Sequence, residues 1–133
     1  MTIANVHELP EPVPINLNGL RVLVVEDSLQ VATSLKRLLV AYGAAVAGPV
    51  ATAADAARLV SEQTVDVALV DIHLRDGELA YDLIDQLHGQ GIRIVVVTGY
   101  ADVSIDEKKV AAVLQKPVSA PRLLQSLRPM ALE

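Results

Sequence analysis

The chain has 133 residues, 52% of them apolar, with three Tyr, no Phe, no Trp, no Cys and a formal charge of −5. That length suits one domain with a real core and leaves no room for a second. The absence of cysteine excludes a disulfide framework and a thiolate metal centre, while an acidic chain with so few aromatic rings is a poor nucleic-acid binder, which needs clustered cations and stacking platforms.

In chain order, residues 1–18 carry Pro10, Pro12 and Pro14 among Glu and Asn, which favours extended backbone and offers little to pack. We read a flexible or loosely docked arm, followed by one domain over 19–133. The start lacks a basic stretch leading into a long apolar core, and no apolar run reaches bilayer length. A cytoplasmic protein without membrane contact is expected.

From Gly19 onward, short apolar runs alternate with helical segments, the signature of repeated βα units on a parallel sheet and hence of the α/β class. After the first strand, Val31, Leu35, Leu38, Leu39 and Tyr42 recur at helical spacing over residues 28–42, with Gly43 placed to end that helix. Residues 44–50 predict a second strand, weakened by Gly48 and Pro49. Thr52 with Asp55 resembles a capping box for a helix that buries alanines, Leu59 and Val60. A third helix over about 79–88 presents Leu83, Ile84 and Leu87 to the sheet, and a last one from Ser119 presents Leu123, Leu124 and Leu127. Between them, residues 101–109 lack an apolar stripe, so the fourth helix of the pattern is expected to be short or mobile.

Five polar residues stand where four apolar runs end: Glu26 and Asp27, then Asp71, Thr98 and Lys116. In a parallel sheet such positions converge, because the ligand crevice lies outside the carboxyl ends of the strands. Three carboxylates there need a cation, and Mg²⁺ suits them because it takes oxygen ligands and keeps waters for a phosphate. Asp71 can then attack phosphorus, Lys116 can pair with the new phosphate, and the Thr98 hydroxyl can donate to it. Singly, each residue has a plainer reading as a solvated loop acid, helix cap, strand exit or Lys-Pro turn. Their joint placement on one edge is what favours a site.

The order of acid pair, Asp, Thr and Lys-Pro on a five-fold βα pattern resembles the receiver domain of two-component response regulators, over residues 20–127. The resemblance implies a flavodoxin-like, doubly wound five-stranded parallel sheet. It also implies that Asp71 accepts a phosphoryl group from a histidine kinase or histidine phosphotransfer protein. Glu26 and Asp27 would help hold Mg²⁺, the His73 backbone carbonyl would complete the metal shell, and Thr98 and Lys116, with Pro117 following, would read the phosphate. Apart from this self-catalysed acceptance and loss of phosphate, no enzyme activity is implied.

The match departs from the common pattern at two points. No Met-Pro follows Asp71, and Val113 stands where most receivers place a switch aromatic. Gly77-Glu78-Leu79-Ala80-Tyr81 and Val96-Val97-Thr98-Gly99-Tyr100 look like the atypical "FAT GUY" receivers, mostly alphaproteobacterial. Gly99 would leave the phosphate open to a partner or to water, and His73 and Tyr100 would flank the pocket mouth, His73 reading equally well as a solvent-exposed loop histidine with no role. With the chain ending at Glu133, output through a downstream protein partner is expected of a stand-alone receiver.

Two rivals stand beside this reading. A haloacid dehalogenase-type phosphatase needs a second Asp two residues after its nucleophile, where this chain has His73. The other is a phosphorylation-independent interaction domain on the same scaffold.

Overall fold

The computed structural model describes residues 15–99 and 104–131. Within them, five strands form one parallel sheet: β1 Arg21–Val25, β2 Ala45–Val50, β3 Val67–Asp71, β4 Arg93–Thr98 and β5 Ala112–Gln115, in the spatial order β2-β1-β3-β4-β5. The reversal of strand order lies between β1 and β3, so the topological switch point falls beside Glu26 and Asp71. Five-stranded order and parallel pairing bear out the flavodoxin-like, doubly wound architecture. All five residues of β3 are buried, as are all of β4 beyond Arg93, which is why these strands read as unbroken apolar runs.

Side-chain alternation sorts the core into two layers. Leu23, Val25, Ala68, Val70, Ile94 and Val96 face one side, and Val22, Val24, Val67, Leu69 and Val95 the other. The first layer is closed by α2 (Ala53–Glu62), through Ala56, and by α3 (Tyr81–Gly89), through Leu83, Ile84 and Leu87. The second is closed by α1 (Leu29–Ala41), through Leu35 and Leu39, and by α4 (Ala120–Leu127), through Leu123, Leu124 and Leu127. Local chemistry starts these helices where the sequence expects them. Ser28 Oγ accepts from Val31 N at 3.3 Å, Thr52 Oγ1 from Asp55 N at 3.1 Å, and Ser119 Oγ from Arg122 N at 3.1 Å.

Three expectations need adjusting. Tyr42 does not join the core: it is the C-cap of α1 and 38% exposed, because the helix turns out of register at Gly43, whose φ is 98°. The third helix begins at Tyr81, two residues late, because Leu79 belongs to a tight loop and is exposed. At the other end of the chain, the stretch read as an arm is packed where it is described. Leu17 is fully buried and its N–H donates to Tyr42 O at 2.8 Å, so the folded unit includes Leu17, and residues 1–14 lie outside the described residues.

Between β4 and β5 the described residues 104–111 hold a turn and no helix, as their missing apolar stripe predicts; residues 100–103 lie outside the description. Lys109 Nζ meets Asp85 Oδ1 of α3 at 2.6 Å, tying this connection to the sheet's first layer. No helix among the described residues is long and apolar enough to cross a membrane.

Candidate functional site

Strand register assembles the site. Val25 pairs with Val70, Asp71 with Val97, and Thr98 with Gln115, so the residues that follow or end these strands lie side by side along one edge. The Lys116 N–H donates to Thr98 O at 2.7 Å, which carries the ladder one step beyond β5 before the cis Lys116–Pro117 bond turns the chain away. Period-two alternation does the rest, since a strand's last residue can be polar only where the sheet leaves the core.

The structure brings Glu26, Asp27 and Asp71 together: each offers a carboxylate oxygen, and these oxygens all lie within 4.8 Å of one another. Glu26 is 4% exposed, Asp71 5% and Thr98 2%. Lys116 Nζ sits 3.0 Å from Asp71 Oδ2 and 2.8 Å from Glu26 Oε1. The first contact is an aligned hydrogen bond; the second is an ion pair without that alignment, which leaves Glu26 Oε1 buried with no hydrogen-bond partner. Backbone donors fix the remaining oxygens. Ser28 N donates to Glu26 Oε2 at 3.0 Å, and His73 N donates to Asp71 Oδ1 at 3.2 Å.

The electrostatics follow from this crowding. Burial pushes the Glu26 carboxyl above its ordinary value and neighbouring Asp71 adds to the rise, outweighing the Lys116 contact and the Ser28 amide that pull it down. For Lys116, burial works against the ammonium, yet its close contacts with Glu26 and Asp71 and the charge attraction to both hold its pKa above the usual range. An exposed one-to-one pair would lower its acid; here burial outweighs the Lys116 contact and the acid rises. Among the described residues, two buried carboxylates share the Lys116 ammonium with Asp27 close by, so local negative charge is only partly compensated, a poor arrangement for a low-dielectric hollow.

An oxygen-only donor set in which the buried Glu26 Oε1 has an ion-pair contact but no hydrogen bond fits a hard divalent cation such as Mg²⁺. Glu26, Asp27 and Asp71 are the side chains that would hold it. His73 lies next to them, half-buried, in a loop directly after Asp71. Gly99 is exposed, and among the described residues a Cβ built on it meets no atom within 4 Å. Tyr100, expected at the pocket mouth, lies outside the described residues. Val113 is 43% exposed on β5.

Sequence reasoning missed two neighbours of the site, Arg75 and Glu78. Arg75 Nη2 reaches Asp27 O at 3.5 Å, and the Glu78 carboxylate bonds to the start of α2. Both sit around an Asp76-Gly77 pair with φ of 60° and 77°. That dipeptide is the usual signature of a two-residue hairpin turn, and it was the available signal.

Comparison with known proteins gives a consistent family. A family model described as the response regulator receiver domain matches residues 22–128. The signal receiver domain of a modulated diguanylate cyclase from Desulfovibrio desulfuricans G20 is 30% identical over 84% of this chain and 91% of that one, with a TM-score of 0.72. A CheY-like response regulator receiver domain protein from Methanospirillum hungatei JF-1 is 27% identical over 83% and 91%, also at 0.72. SdrG from Sphingomonas melonis Fr1 is 30% identical over 85% and 97%, at 0.71. No curated protein matches the chain. Since the family match runs from the first strand through the last helix, and solved receiver domains superpose on the same five-stranded sheet, this chain belongs to the response regulator receiver domain family.

Proposed function

We propose that this receiver takes a phosphoryl group onto Asp71 from a histidine kinase or histidine phosphotransfer protein, with Mg²⁺ bound, and signals through contacts with a downstream protein. The observation that carries the proposal is the convergence of Glu26, Asp27 and Asp71 on one hollow, with Lys116 Nζ 3.0 Å from Asp71. An exposed acid cluster alone would mean little; two nearly buried acids sharing one ammonium are costly unless chemistry uses them.

An Asp71 oxygen forms the new O–P bond as the donor's N–P bond breaks, and the leaving imidazole nitrogen keeps the electron pair. Glu26, Asp27 and Asp71 would hold the Mg²⁺, which would supply positive charge against theirs and that of the incoming phosphoryl oxygens. His73 N, already donating to Asp71 Oδ1, orients the carboxylate for attack. Lys116 then exchanges its carboxylate contact for a phosphoryl oxygen, and the Thr98 hydroxyl donates to another, which is how the added charge is sensed. With no side chain, Gly99 admits the partner's phosphohistidine, and afterwards water. The Val96-Val97-Thr98-Gly99-Tyr100 stretch supports placing the chain in the "FAT GUY" subgroup.

Incubation with Mg²⁺ and acetyl phosphate tests the proposal. The intact mass should rise by one phosphoryl group, chelation should prevent the rise, and Asp71→Asn should abolish it. No uptake by the unaltered chain would leave a receiver fold used for phosphorylation-independent contacts. Sustained turnover of generic phosphate esters would instead favour a phosphatase.

A further inference from the structure

Asp71 leads straight into a closed hairpin. Ala80 N donates to Ile72 O at 2.9 Å, Leu74 N donates to Glu78 O at 2.8 Å, and His73 pairs antiparallel with Leu79. The turn at Asp76-Gly77 closes it. Inside this frame the His73 amide holds Asp71 Oδ1. Outside it, Glu78 Oε1 accepts a hydrogen bond from Ala53 N at 3.1 Å.

Ala53 is the first residue of α2, and its N–H is one of the donors that a helix start leaves unsatisfied. Thr52 Oγ1 already serves Asp55 N, so the helix has its local cap. The second acceptor comes from 25 residues away, out of the loop that positions the phosphoacceptor's neighbour. Ile72, Leu74 and Ala80 seat the hairpin in the core and Arg75 reaches Asp27 O at 3.5 Å; the Glu78 bond adds a tether to α2.

We propose that Glu78 is a positioning residue for Asp71: by anchoring the hairpin to α2, it holds the His73 backbone against the acceptor carboxylate. The proposal rests on the reading that Asp71 accepts phosphate.

The bond can be broken from either side. Glu78→Ala removes the acceptor. Ala53→Pro removes the donor at the first helical position, where proline is tolerated, and Thr52 already has the extended conformation (φ −134°, ψ 157°) that a following proline requires. Glu78→Gln keeps an oxygen acceptor. In the full chain with saturating Mg²⁺, the phosphorylation rate by acetyl phosphate is read by intact mass, the His73 amide by NMR, and stability by thermal melting.

Losing one hydrogen bond of ordinary net strength should slow phosphorylation about fivefold in Glu78→Ala and in Ala53→Pro. The double variant should be no slower than either, and the His73 amide should shift in both. Glu78→Gln should restore most of the rate. Normal rates with lowered melting temperatures would overturn the proposal, making Glu78 a helix cap only; so would multiplicative losses. If Ala53→Pro does not fold, the contrast between Glu78→Ala and Glu78→Gln decides alone: slow against restored supports the proposal, equal rates refute it. No phosphate uptake by the unaltered chain refutes the acceptor reading and this role with it, whereas normal uptake with unaffected variants refutes only the role of Glu78.

Discussion

At the amino ends of the strands, Asp66 is held by Arg21, with Arg93 adding charge attraction. Arg21 Nη2 lies 2.9 Å from Asp66 Oδ1, while Nε and the Arg21 backbone N–H both reach Oδ2, at 3.1 and 2.8 Å. Hydrogen bonding from Arg21 holds the Asp66 carboxyl below its ordinary value. At the carboxyl ends, among the described residues, Glu26 and Asp71 share the ammonium of Lys116 with Asp27 close by, and burial drives Glu26 up instead. Both edges carry charge close to the same sheet, but only one balances it. A matched, solvated pair is what structure asks for; a mismatched, buried cluster is what a site that binds a cation and a phosphate asks for.

The contrast predicts that substitutions at the two edges differ in sign as well as size. The largest effect belongs to the apolar footing of the amino edge. Leu17→Ala, which empties a fully buried position, should cost about 3 kcal/mol in urea unfolding. A loss within about 0.5 kcal/mol would return residues 15–18 to the status of an arm.

Lys116→Ala comes next. Removing the cation from two buried acids should cost about 2 kcal/mol without Mg²⁺, less than a fully buried pair because Lys116 keeps 25% of its side-chain surface exposed. A neutral or stabilising result would mean that the acids are neutralised by something other than Lys116.

Asp27→Asn should have the opposite sign. It relieves repulsion and so stabilises the metal-free protein by about 0.5 kcal/mol, while weakening Mg²⁺ binding about tenfold, as read by calorimetric titration. Destabilisation here would make Asp27 structural and blur the contrast between the edges.

The smallest effect is that of Asp66→Asn, a slight loss at neutral pH. Because the folded-state pKa of Asp66 is depressed, its contribution is present above the ordinary carboxylate range and is lost as pH falls through the folded value. The difference between Asp66→Asn and the unaltered chain should therefore vanish at low pH; a difference that persists there would have another origin.

Much of this was legible in the residues themselves. Central strands buried on both faces leave runs such as Ile94-Val95-Val96-Val97, and Ser28, Thr52 and Ser119 announce their helices through side-chain chemistry that acts within three residues. Glu26, Asp27, Asp71, Thr98 and Lys116 stood out because polar residues ending several apolar runs share one edge in any parallel sheet. Tyr42 and Leu17 misled for a common reason: periodicity and composition describe a segment, whereas burial depends on what packs against it. The partner of Glu78 was invisible because it is a backbone N–H, which every residue but proline has.

Local sequence was enough for the alternation of elements, the capped starts of three helices, and which residue types crowd the strand ends, since these depend on propensity, capping and period over a few neighbours. Only the tertiary structure decided that one ammonium serves two buried acids, that Leu17 belongs to the core and that a carboxylate from the loop after Asp71 reaches α2. Those are contacts between segments far apart along the chain, and their distances are set by sheet register and helix packing, which no local pattern encodes.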